Sequence, residues 1–75
     1  MRDEVLDLLS DLFPAIDFLA SDALVDDGIL SSLNIVQIVS ELAMEYDAEF
    51  AFEDLTPENF NSIDAIAALV ERRMK

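Results

Sequence analysis

Three features of this 75-residue chain predict an all-α fold, a four-helix bundle with three longer helices and one short third helix. Apolar residues recur at helical spacing in three stretches, and prolines and small polar residues mark where helices should start and stop. The length allows one domain, residues 1–75, and leaves no room for a second.

In the first helix, Val5, Leu8, Leu9 and Leu12 follow the i, i+3, i+4, i+7 pattern. Asp3 and Glu4 stand in its opening turn, where the helix dipole favours anions. Pro14 ends it, because the residue before a proline is pushed away from helical angles. A long linker follows, from about Pro14 to Ser31, with Phe18, Leu19, Leu24, Val25, Ile29 and Leu30 as the side chains expected to pin it. Gly28, the only glycine, is expected to supply a turn conformation that other residues resist.

The second helix is expected from about Ser32 to Tyr46. In the segment Asp47 to Asp54, the alternation of Phe50 and Phe52 suggests a short extended stretch. Thr56-Pro57 reads as an N-cap followed by a proline at the first helical position. That third helix must be short, because Asn61-Ser62 offers another cap almost at once. The last helix, about Ser62 to Met74, carries Ile63, Ile66, Ala67 and Val70 on one face. Arg72, Arg73 and Lys75 complement its C-terminal dipole.

Seventeen Asp and Glu stand against four Lys and Arg, a net charge of −13, yet 53% of the residues are hydrophobic. An intrinsically disordered acidic chain is poor in apolar residues, so disorder is excluded. Phosphate contacts need a basic surface, which argues against nucleic-acid binding. The basic residues are Arg2, Arg72, Arg73 and Lys75, so all the acids lie in a span with no internal counter-charge. Basic protein patches are the natural partners of such a surface. Without cysteine or histidine, disulfides, thiol chemistry, zinc sites and Ser-His-Asp triads are impossible from one copy of the chain. No apolar run approaches a membrane span. Met1-Arg2-Asp3-Glu4 is acidic too early for a signal peptide, so a cytoplasmic location is expected, and a monomer.

Placed at about 100° per residue, the second helix shows two apolar arcs. Ile35, Ile38, Val39, Leu42 and Tyr46 form the core face. Leu33 and Met44 fall nearly opposite, flanked by Gln37 and Ser40, with Val36 and Glu41 at the edges. Single exposed apolar residues are ordinary. An apolar centre with an acidic rim is also the pattern of a surface that docks basic partners. Ser31-Ser32, where the linker enters this helix, has two readings as well. Serine is among the best N-caps. A hydroxyl at a helix N-terminus is also well placed to carry a phosphodiester, whose charge the dipole and free N–H groups stabilise. The chain has no base to activate the serine, so another enzyme would have to attach the group.

The stretch Asp27-Gly28-Ile29-Leu30-Ser31-Ser32-Leu33-Asn34-Ile35-Val36-Gln37-Ile38-Val39 resembles the attachment region of acyl carrier proteins. That family has a glycine, a hydrophobic pair, then Asp-Ser-Leu or Asp-Ser-Met opening its second helix. The resemblance covers essentially the whole chain. It implies an acyl or aminoacyl carrier whose Ser32 bears 4′-phosphopantetheine added from coenzyme A, with cargo held as a thioester on the arm. Leu33, Val36, Gln37, Ser40, Glu41 and Met44 would then form the recognition face. Partners would be a phosphopantetheinyl transferase, an acyl- or aminoacyl-activating ligase, and an acyltransferase or synthase. Val36-Gln37 and Glu41-Leu42 resemble D-alanyl carrier proteins more than fatty-acid carriers. One departure is Ser31, which replaces the family's Asp. The helix start should survive the change, but a negative charge beside the attachment site is lost, and either serine is a candidate for modification. Leu33 after Ser32 matches the family order.

Other classes fit less well. A paired-carboxylate enzyme needs a pocket that a small helical bundle hardly offers, so the chain is read as a carrier and not an enzyme. An EF-hand alignment on Gly28 puts Ala23 and Val25 at ligand positions and Asn34 at the terminal Glu position, so no metal site is expected. The alternative function is a non-covalent acidic adaptor, or DNA mimic, with no prosthetic group. Charge reversal at Glu41 and Glu45 would disable such an adaptor, whereas Ser32→Ala would disable a carrier.

Overall fold

The computed structural model describes residues 1–74. Among them the chain forms α1 (Arg2–Leu12), α2 (Ser32–Tyr46), α3 (Pro57–Phe60) and α4 (Ile63–Arg73), with a 3-10 turn at Phe52–Asp54 before α3. The result is a small all-α bundle, and its helices meet around one hydrophobic core. Val5 and Leu9 of α1, Ile35, Ile38 and Leu42 of α2, Phe60 of α3, and Ile63, Ile66, Leu69 and Val70 of α4 are all buried in it. These positions follow the 3.6-residue period, which puts residues three and four apart on one face.

The core stripe is narrower than the sequence suggested. Leu8, Val39 and Tyr46 are half-buried, and Leu12 is exposed. α4 lies closest to its neighbours, running its backbone near both α1 and α3, while α2 stands further off and reaches the core through its larger side chains. Salt-bridge geometry follows the charge layout: Arg2 pairs with Asp64 and Asp3, joining the start of α1 to the start of α4.

The linker between α1 and α2 is a chain of tight turns closed by backbone hydrogen bonds. Ile16 N–H donates to the Phe13 carbonyl at 3.0 Å, Ala20 N–H to Asp17 at 3.2 Å, Asp27 N–H to Ala23 at 2.7 Å and Gly28 N–H to Val25 at 3.1 Å. Phe18, Leu24 and Leu30 pin it into the core, and Val25 and Ile29 pack partly against it. Leu19 does not; it points outward and is exposed, because the Asp17–Ala20 turn reverses the chain there. Gly28 adopts φ +80°, the left-handed region that the turn requires and that a side chain disfavours.

After α2 the structure departs from the extended stretch expected over residues 47–54. Asp47 takes a left-handed conformation and stops the helix. The one extended contact among the described residues is a bridge between Ala48 and Met74, reinforced by Glu49 N–H donating to the Arg73 carbonyl at 3.3 Å. Phe50 packs partly on the core, but Phe52 enters the 3-10 turn and projects into solvent, 90% exposed. Two residues of alternation are too few to hold a strand without a full partner.

Asp54 closes this region. Its buried carboxylate accepts from Arg73 at 2.7 Å and from Ala51 N–H at 2.9 Å, and its carbonyl accepts from the Asn59 amide at 2.8 Å. The Arg73 guanidinium, and next the Ala51 N–H, hold the Asp54 carboxyl below the usual aspartate range. Thr56 and Pro57 begin α3 at the expected residues, although the Thr56 side chain makes no capping bond. Ser62 does cap α4, accepting from Ala65 N–H at 3.0 Å. α4 ends at Arg73, one residue short of the expected Met74, which the bridge to Ala48 draws into an extended conformation. Arg72 and Arg73 lie in its last turn as expected, and Lys75 falls outside the described residues.

Candidate functional site

The start of α2 divides two adjacent serines into two different roles. Ser31 is the N-cap, with an extended backbone and a capping box. Its hydroxyl accepts from Asn34 N–H at 3.2 Å and donates to the Asn34 side-chain oxygen at 2.9 Å, and that oxygen also accepts from Ser31 N–H at 3.0 Å. This reciprocal arrangement satisfies donors that the helix cannot pair internally. Ser32 is the first residue of α2 and is exposed. Its hydroxyl has no hydrogen-bond partner among the described residues.

The electrostatics of this terminus are unusual for so acidic a chain. The first turns of α1, α3 and α4 carry Asp3 and Glu4, Glu58, and Asp64 respectively, while the first turn of α2 carries no acidic residue. The Asn34 N–H is taken by the Ser31 hydroxyl and the Ile35 N–H by the Ser31 carbonyl. The Ser32 and Leu33 N–H groups have no hydrogen-bond partner among the described residues. Free N–H groups and an uncompensated dipole are what a phosphate needs at a helix N-terminus. The donor set therefore fits a phosphodiester on the Ser32 hydroxyl. The neighbouring acids are engaged elsewhere: the Asp27 carboxylate accepts from the Ser21 hydroxyl at 2.7 Å and Asp26 from the Asn61 amide at 3.1 Å.

The six residues read as a recognition face separate into two groups. Leu33, Val36 and Met44 are 67%, 55% and 71% exposed, on the side of α2 away from its buried Ile35, Ile38 and Leu42. Gln37, Ser40 and Glu41 line an open cleft of about 320 Å³, whose other wall is Leu12 and Phe13 at the end of α1. The sequence did not place Leu12 or Phe13 at the site. The exposure of Leu12, on a helix otherwise assigned to the core, becomes intelligible once α1 and α2 are seen to flank a cleft.

Asn61 was also missed as anything other than a cap. It stands between α3 and α4, and its carbonyl accepts from Leu24 N–H at 2.8 Å. Its side-chain oxygen accepts from Val25 N–H at 2.9 Å and Asp26 N–H at 3.2 Å. No group of three or more acidic side chains among the described residues converges on a common point that could hold a metal ion.

Set against known proteins, the chain matches no family model, no curated protein and no solved structure. The functional reading therefore rests on the residues at the start of α2. No helix among the described residues is long and apolar enough to cross a membrane.

Proposed function

We propose that this chain is a carrier protein with 4′-phosphopantetheine on Ser32, a cytoplasmic domain that presents acyl or aminoacyl cargo to partner enzymes and catalyses nothing alone. The supporting observation is the division of labour at α2: Ser31 caps the helix, which leaves the exposed Ser32 hydroxyl without a competing hydrogen bond. In the attachment step a transferase removes the Ser32 hydroxyl proton, and the oxygen forms a bond to the β-phosphorus of coenzyme A. The bond from that phosphorus to the adenosine bisphosphate breaks, and the latter departs. The arm supplies a thiol that this cysteine-free chain lacks.

The chain's own residues do the rest. The Ser32 and Leu33 N–H groups would be the donors that hold the phosphodiester, and Ser31 with Asn34 fixes the helix start that carries them. The exposed Leu33, Val36 and Met44, interleaved with Gln37, Ser40 and Glu41, offer apolar contacts and a carboxylate to basic partners. The resemblance of Val36-Gln37 and Glu41-Leu42 to D-alanyl carriers makes D-alanine one candidate cargo, beside a fatty acyl chain and a polyketide or peptide intermediate. The partners are a phosphopantetheinyl transferase, an activating ligase and an acyltransferase or synthase.

Incubation with a phosphopantetheinyl transferase and coenzyme A should raise the intact mass by one phosphopantetheine, and Ser32→Ala should abolish the increase. A chain left unmodified under conditions that prime a control carrier overturns the proposal in favour of a non-covalent acidic adaptor.

A further inference from the structure

Asn61 is far from Ser32 in sequence, yet a continuous path of hydrogen bonds and covalent neighbours joins them. The Asn61 carbonyl holds Leu24 N–H at 2.8 Å, and the Leu24 carbonyl in turn holds Leu30 N–H at 2.9 Å. Leu30 is bonded to Ser31, the N-cap, and Ser31 to Ser32. Leu24 and Leu30 are both buried, so this strap is anchored in the core at each end. The Asn61 side chain adds a second hold. Its oxygen accepts from Val25 N–H at 2.9 Å and Asp26 N–H at 3.2 Å, and its nitrogen donates to the Asp26 carboxylate at 3.1 Å. The partners fix the orientation of the amide, since a flipped amide would set its N–H₂ against two N–H donors and its oxygen against a carboxylate.

Few residues suit this position. An acceptor for two backbone donors and a donor for a carboxylate must sit on one short side chain, which asparagine provides. Asn61 also lies between Phe60, buried in the core, and Ser62, the cap of α4, so its backbone is held on both sides. Its position is thus set by α3 and α4, whose backbones pack closely together.

We infer that Asn61 is a positioning residue for Ser32: it fixes the Leu24–Leu30 strap, and through it the direction in which the α2 start presents the attachment hydroxyl. Coupling of this kind travels through contiguous packed and hydrogen-bonded groups, and each link here is a contact of the structure. The inference rests on the carrier reading for its consequence, but not for its geometry.

The test uses Asn61→Asp and the double variant Asn61→Asp with Asp26→Asn. The single variant keeps the acceptor for Val25 and Asp26 N–H but opposes two carboxylates. The double variant restores a donor–acceptor pair in reverse and leaves the net charge unchanged. In the single variant, amide hydrogen exchange should quicken about tenfold at Leu24, Val25 and Asp26, the scale of one lost hydrogen bond. It should also quicken at Leu30, Ser31, Asn34 and Ile35, with priming kcat/KM down about tenfold through KM, since fewer molecules present Ser32 correctly. The double variant should recover both to within about twofold. Ile63→Val, which trims the core beside Asn61 without touching its hydrogen bonds, should leave KM unchanged.

Faster exchange confined to residues 24–26, with the helix start still protected, would make Asn61 a local pin and overturn the inference. So would failure of the double variant to recover. If the wild-type chain is not primed at all, the carrier reading fails, while the exchange data still decide whether Asn61 controls the start of α2.

Discussion

Replacing each of the adjacent serines by alanine should separate stability from function in opposite directions. Ser31→Ala removes the hydroxyl that accepts from Asn34 N–H at 3.2 Å and donates to the Asn34 oxygen at 2.9 Å. The bond from Ser31 N–H to Asn34 survives, so half of the capping box is lost. An N-cap serine replaced by alanine costs about 1 kcal/mol, within a range of about 0.5–2. In a domain of this size that should lower Tm by about 4–8 °C. Ser32→Ala removes an exposed hydroxyl with no partner, and alanine is the better helix former, so the change should stay within about 0.5 kcal/mol. Thermal melts followed by far-UV circular dichroism measure the first quantity, and intact mass after incubation with transferase and coenzyme A measures the second. Ser31→Ala should melt earlier and still gain the arm; Ser32→Ala should melt like the parent and gain nothing. A cycle with Asn34→Ala should show coupling to Ser31 of about 0.5 kcal/mol or more, and none to Ser32. Equal losses of stability in the two single variants would refute the division of roles, whatever the mass data show.

Other outcomes follow from the core and the charges. Phe60→Ala empties a fully buried site and should cost about 3–5 kcal/mol. That is a large share of the roughly 4–11 kcal/mol typical of a chain this long, so urea midpoints should fall sharply, and a small shift would mean the core recloses. Phe52→Ser, on an almost fully exposed ring, should change stability by less than about 0.5 kcal/mol and leave the same midpoint nearly unmoved; a larger loss would place the ring in a contact the structure lacks. Because Arg73 holds the Asp54 carboxyl below its ordinary value, the unfolded chain binds the extra proton in the window below about pH 4. The contribution of this pair is therefore present above that window and is lost as pH falls through the lowered folded value. Asp54→Asn should flatten that acid limb in a plot of urea midpoint against pH, and an unchanged limb would show that the pair does not contribute.

What the sequence revealed depended on whether a feature repeats along the chain. The bounds of α2 could be read because Ile35, Ile38 and Leu42 keep the helical period and a serine stands at the start. Gly28 was readable because a left-handed turn leaves few other choices. The contacts of Asp54 with Arg73 and of Asn61 with the linker have no period; each joins single residues far apart in the chain, and any of seventeen acids could have met Arg73. Phe50 and Phe52 misled because two residues of alternation also fit a 3-10 turn. The serines could not be told apart by cap preference, which is the same for both. Asn34, three residues beyond Ser31 and able to return its hydrogen bond, is the residue that separates them.

The looser seating of α2 has a consequence for how the bundle comes apart. α4 holds α1 and α3 close at the backbone level, whereas α2 is attached mainly by the side chains of Ile35, Ile38 and Leu42 and by the linkers at its ends. Proteins open in cooperative units of unequal free energy, and a unit with fewer close neighbours opens first. Amides in the middle of α4 should thus exchange only by global unfolding, and those of α2 through a cheaper, partial opening. Under native conditions a small population would then keep the α1–α4 pair intact while the helix that bears Ser32 tilts away from it.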